Sequence, residues 1–157
     1  MPAIGVALRD HARRFRTLQG SNAPRAARDA AERATERLIG WSTANETKLD
    51  ARGPEGVEAA FGVVPAGGRA TVWRIYRRGG VGKVTLLSRV EENLTRAERG
   101  FIVRVLENLQ PGTRIGPGQR LELGLPRIAP DPQWAQFEPL LNFSLDVARR
   151  YDSAGRP

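Results

Sequence analysis

The chain has no cysteine and a single histidine, His11, in 157 residues. Disulfides, thiolate metal sites and cysteine nucleophiles are therefore excluded. A structural zinc site draws on several Cys or His ligands, so no metal is expected, and no cofactor either. A serine–histidine–acid triad would depend on His11 alone, and Arg9-Asp10-His11-Ala12-Arg13-Arg14 predicts a solvated helix flank. Lysine is nearly as scarce. Lys48 and Lys83 are the two, and every other basic side chain is arginine. Arginine favours forked contacts with carboxylates and phosphates, although a GC-rich genome produces the same bias. No apolar run approaches the ~20 residues that span a bilayer. The apolar opening, Met1 to Leu8, is short, lacks a basic leader and meets Arg9 and Asp10, so it does not read as a signal peptide. A cytoplasmic or virion protein without a membrane span is expected.

What the chain does have is positive charge, +8 in total and unevenly spread. Residues 1–41 hold eight basic and four acidic side chains, and residues 63–90 hold six basic and none acidic. The apolar fraction of 40% suits one modest core.

Periodicity predicts an α+β fold. Leu8, Ala12, Phe15 and Leu18 mark a first helix over 5–19. A second runs from about Pro24 to Trp41, with an inner stripe of small residues (Ala27, Ala30, Ala31, Ala34) ending in Leu38 and Trp41. Residues 42–56 read as a polar loop, and 57–61 as one helical turn. Two β-rich runs, 70–77 and 83–90, flank Gly79-Gly80-Val81-Gly82 and predict a hairpin. Thr95 with Glu98 three residues on predicts a capped helix over 96–109. A Pro-rich connector with Pro126, Pro130 and Pro132 follows. A last amphipathic helix is expected from about Pro139, with Leu140, Phe143, Val147 and Tyr151 on one face, before a loose tail over 152–157. This gives three parts: an N-terminal helical arm (1–56), a central unit with a small antiparallel sheet and one packed helix (57–126), and a connector with a C-terminal docking helix (127–157).

Few motifs carry chemistry. Arg78-Gly79-Gly80-Val81-Gly82-Lys83 has part of a phosphate-binding loop, but Val84 stands where a metal-binding Ser or Thr is needed, and a hairpin turn is the better reading. Glu91 and Glu92 are adjacent and would diverge on a regular element, so they do not form a catalytic pair. A non-enzymatic protein is expected. The basic hairpin offers candidate nucleic-acid contacts in Arg69, Arg74, Tyr76, Arg77, Arg78 and Lys83. On a strand Arg74, Tyr76 and Arg78 share one face and Trp73 and Ile75 the other. The alternative is that Trp73 and Ile75 enter the core and the arginines form a solvated or acid-paired face.

Residues 64–126 carry Thr71-Val72-Trp73-Arg74-Ile75, then Asn108-Leu109-Gln110-Pro111, then Ile115-Gly116-Pro117-Gly118-Gln119-Arg120-Leu121-Glu122-Leu123. This stretch resembles a LysM module. The resemblance implies a helix over 73–77, where β propensity predicts a strand. It also implies either peptidoglycan binding or an adaptor role like that of LysM-like modules in phage and contractile-tail baseplates. The expectation is a structural or adaptor protein of a larger homo- or hetero-oligomeric assembly. Trp41, Trp134, Phe137, Leu140, Phe143, Val147 and Tyr151 are the partner-binding candidates, and Trp73 is a further candidate anchor. The alternatives are a nucleic-acid-binding protein and a peptidoglycan-binding module.

Overall fold

Among the described residues, five short strands, joined in chain order, form an antiparallel meander. They are β1 (Thr47–Asp50), β2 (Phe61–Pro65), β3 (Trp73–Tyr76), β4 (Lys83–Leu86) and β5 (Glu122–Gly124), each paired with the next. Four α-helices among the same residues complete an α+β fold: α1 (Ile4–Leu18), α2 (Arg25–Ala44), α3 (Arg96–Leu109) and α4 (Asp131–Ala154). The computed structural model describes residues 4–18, 24–51, 60–76 and 82–154.

Strand alternation sorts the sheet into two unlike faces. The register places Leu49, Phe61, Val63, Trp73, Ile75, Val84, Leu86 and Leu123 on one face. From Phe61 onward these are buried in the core. The Trp73 indole N–H donates to Ser42 Oγ on α2 at 2.9 Å, which satisfies a polar atom that burial would otherwise penalise. His11 on α1 stacks at a tilt on Phe61, with ring centroids 5.7 Å apart, so it is half-buried rather than solvated.

The opposite face is polar. Asp50, Gly62, Arg74, Thr85 and Glu122 stand in one row across all five strands. Gly62 is required there, because a Cβ would overlap the Trp73 carbonyl oxygen of the adjacent strand.

The helices join this sheet in one core. The small residues of α2 allow close packing, with Ala31 and Ala34 fully buried among Leu38 and Ile39. The first half of α4 is tied to α2 by Arg37, which donates to the Ala129 carbonyl at 3.0 Å, pairs with Asp131 and lies over the Trp134 ring. The Trp41 indole N–H donates to Asn142 Oδ1 at 2.9 Å. At its other end α4 grips the β2–β3 turn. The Asp152 carboxylate accepts from the Arg69 and Ala70 backbone N–H groups, each at 3.0 Å. The buried cluster draws on all three parts expected from sequence, from Leu8 through Trp73 to Ala148.

Several elements differ from expectation. The polar segment after α2 contains β1, and Phe61 begins β2; residues 57–59 of the expected helical turn lie outside the described residues. Trp73–Tyr76 is a strand, as β propensity predicts, and not the helix implied by the LysM resemblance. Strand β4 stops at Leu86 because Leu87 and Arg89 turn into the left-handed region, with φ of 52° and 74°. Helix α4 starts at Asp131, eight residues before Pro139, which it carries inside. Asp152 is fixed in α4 and not part of a loose tail.

Candidate functional site

The described residues hold a groove of about 490 Å³ along the free edge of β5, lined among others by Lys83, Gln110, Arg114, Gln119, Arg120 and Glu122. Its outer wall is the loop between α3 and β5. Pro111 and Gly112 end α3, Gly112 taking a φ of 87°. Gly116-Pro117-Gly118-Gln119 then makes a tight turn. The Gln119 N–H donates to the Gly116 carbonyl at 3.2 Å, and Gly118 has a φ of 76°. Proline second and a positive-φ glycine third is the pattern of a type II turn.

Two α3 side chains and the C-cap Gln110 hold this loop and the strand after it. Arg99 donates to the Gly116 and Gln119 carbonyls, both at 2.9 Å. The Glu107 carboxylate accepts from the Ile115 N–H at 2.9 Å. The Gln110 amide donates to the Glu122 carbonyl at 3.0 Å, satisfying an acceptor on the sheet edge. The groove wall is thus fixed by a helix rather than left as a free loop.

The floor is ionic. Glu122 on β5 faces Thr85 across the strand pair. Its carboxylate accepts from the Tyr76 hydroxyl and, at 3.3 Å, from the Thr85 hydroxyl, while Lys83 Nζ lies 3.8 Å from its other oxygen. The Arg120 guanidinium lies over the Tyr76 ring, 5.6 Å from its centroid. Burial first, and then the hydrogen bond to Glu122, push the Tyr76 hydroxyl above its ordinary pKa. Nearby, burial raises the Glu91 carboxyl above the usual range, although the Leu121 N–H, Arg99 and Arg120 favour its charged form. One Glu91 oxygen, Oε2, is buried with no hydrogen-bond partner.

The nucleic-acid candidates divide three ways. Lys83 lines the groove, and the buried Tyr76 shares the Glu122 carboxylate with it. Arg74 is buried in the polar row and Arg69 is exposed at the β2–β3 turn. Arg77 and Arg78, which follow Tyr76 in sequence, lie outside the described residues. Arg114, Arg120 and Glu122 were not singled out from sequence. The signals for them are the two arginines that flank the Gly116-Pro117-Gly118 turn and the place of Arg120 and Glu122 in the stretch that carries the LysM resemblance.

The partner-binding candidates are mostly interior. Phe137 and Leu140 are fully buried, Trp41 and Val147 nearly so, and all four belong to the chain's own core, as does Trp73. Trp134 is half-buried under Arg37, and Phe143 is half-buried edge-on against Phe101. Tyr151 is 41% exposed and Phe101 38%. Among the described residues no group of three or more His, Asp or Glu is arranged to hold a metal, and no helix is long and apolar enough to cross a membrane.

The fold and groove define an α+β chain with a basic cleft at a sheet edge. No protein-family model, curated protein or solved structure matches it.

Proposed function

We propose that the chain is a polyanion-binding protein that holds the phosphate backbone of a nucleic acid in the β5 groove. One observation carries this reading. Lys83 at the start of β4 and Arg114 and Arg120 from the α3–β5 loop converge on a single cleft, with Glu122 the one acid among its lining residues. Tyr76 is buried beneath Arg120, so base stacking on its ring is not part of this reading. Recognition would rest on phosphate contacts, which position without reading sequence.

The test is fluorescence anisotropy of labelled single- and double-stranded oligonucleotides across a salt series. Removing one cation that neutralises a phosphate should reduce the log Kd against log salt slope by about 0.7–0.9. The double variant Arg114→Ala/Arg120→Ala should therefore bind more weakly and with a shallower slope. Equal affinity and slope in the variant would count decisively against the proposal.

A second reading, a structural adaptor of a larger assembly such as a phage or contractile-tail baseplate, is favoured by the exposed aromatics. Phe101, with Phe143 behind it, and Tyr151 leave apolar surface on α3 and α4. Beside them a hollow of about 430 Å³ is lined by Val90, Glu98, Val147, Arg150 and Tyr151. Under this reading Phe101→Ser and Tyr151→Ser should shift the light-scattering mass of an assembly without lowering the melting temperature. Sedimentation with cell-wall sacculi would separate both readings from peptidoglycan binding.

A further inference from the structure

The groove's cations do not stand idle in the unbound protein. Two hydroxyls and an ammonium, from two adjacent strands, converge on the carboxylate of Glu122: Tyr76 on β3, and Thr85 and Lys83 on β4. Arg120 also lies over the Tyr76 ring, 5.6 Å from its centroid. The Glu122 side chain is 22% exposed, whereas Lys83 is 54% exposed. The acid is thus enclosed while its lysine partner reaches the groove. Of these donors Lys83 alone lines the groove, where its ammonium is the kind of donor a phosphate needs.

From this arrangement we infer that Glu122 is an internal counter-anion, pairing with Lys83 and withholding it from an incoming phosphate. The inference rests on the polyanion reading of the groove and adds a specificity-setting residue to it. In the resting protein Arg114 and Arg120 meet the ligand, and Lys83 stays with Glu122. Weak polyanions are then refused, because a phosphate must compete with a carboxylate already in place. A purely structural role for Glu122, holding β5 to the sheet, makes no such demand on binding.

The experiment is the same anisotropy titration, with a labelled oligonucleotide as probe, on folded full-length protein. Glu122→Gln keeps the shape and an acceptor for Tyr76 and Thr85 while removing the charge. It should tighten binding about tenfold at low salt, since a charge some 4 Å from Lys83 is removed. The salt slope should steepen by about 0.7–0.9, the share of one neutralised phosphate, as Lys83 becomes free to bind. The double variant Glu122→Gln/Lys83→Gln should return the slope to that of the wild type. Asp146→Asn, an exposed carboxylate on α4, controls for net charge and should change affinity less than about twofold, being screened by salt.

Should Glu122→Gln fail to fold, Lys83→Gln in the wild-type background still decides the matter. It should leave the slope unchanged. A slope shallower by the share of one whole phosphate would mean that Lys83 already holds the ligand, and the inference would be wrong. Wild-type affinity and slope in Glu122→Gln would also overturn it. Binding by neither protein would instead remove the polyanion reading on which it stands. Binding by Glu122→Gln alone would support the counter-anion in its strongest form.

Discussion

At the scale of the residue, polar side chains fix this fold as much as apolar ones. Asp152 is the clearest case. Its carboxylate accepts from two consecutive backbone N–H groups, and Ala70, which carries one of them, is buried. Gly68 faces the same carboxylate, where a Cβ would overlap it. Hydrogen bonds to a charged acceptor are worth about 1.5–3 kcal/mol each. Asp152→Ala should therefore destabilise the protein by about 2 kcal/mol in urea unfolding, and Asp152→Asn by less. A variant as stable as the wild type would show that the turn holds itself. Glu91 works in the opposite sense. Its folded pKa is raised, chiefly by burial, so the neutral form favours folding. Its contribution to stability is full below the unfolded carboxylate pKa and is lost as pH rises through the folded value. At neutral pH the charged carboxylate is a cost. Glu91→Gln should then stabilise by roughly 0.5 kcal/mol at pH 7, a figure kept small because solvent still reaches the group. The gain should vanish on acidification through the carboxylate range. A gain independent of pH would rule this account out.

At the scale of the element, the helix signals were readable and the weak strands were not. The cap of α3 was legible because its chemistry is local. Thr95 Oγ1 accepts from the Glu98 N–H at 3.1 Å, and the Glu98 carboxylate accepts from the Thr95 N–H at 2.9 Å. Thr95→Ala should cost about 1 kcal/mol. The Thr95 N–H first, and then Arg150, hold the Glu98 carboxyl below its usual pKa. That contribution is present above the unfolded carboxylate pKa and is lost as pH falls through the folded one. The penalty of Glu98→Ala, which removes the titrating carboxylate, should thus shrink in acid, and a constant penalty across pH would contradict it. Strand β1 was not legible, because Thr47-Lys48-Leu49-Asp50 offers a single large apolar residue and takes its structure from pairing with β2. Strand β2 was hidden by Gly62 and Pro65, both of which read locally as breaks. Gly62 is set by the close approach of β3, and Pro65 ends the pairing opposite Thr47. The groove was half legible. Tyr76 and Lys83 are close in sequence, but Arg114, Arg120 and Glu122 join them only because β5 pairs with β4 after a helix has intervened.

At the scale of the whole molecule, the parts suggested by sequence fold as one. An apolar stripe on the last helix has the same pattern whether it covers a partner or the chain's own core. Here Phe137, Leu140, Leu141, Leu145 and Ala148 all enter the buried cluster that also holds Trp73 and Leu38. Removing any one large side chain should be costly, about 3–5 kcal/mol for Phe137→Ala, a large share of the stability of a small domain. Deleting residues 133–157 would strip this face from α2 and the sheet, and would free the β2–β3 turn from Asp152. The truncated chain should fail to fold, rather than survive as a central unit that has shed a docking arm. The three tryptophans allow an independent check on the intact protein. Trp41 bonds to α4, Trp73 bonds to α2 from the sheet, and Trp134 lies beneath Arg37 of α2. If the core is a single cooperative unit, tryptophan fluorescence and far-ultraviolet circular dichroism should lose signal at the same urea concentration. Fluorescence changing first, with helix content retained, would mean that α4 detaches before the sheet unfolds. The exposed aromatics on α3 and α4 would then belong to a separable element, and the adaptor reading would gain over the groove.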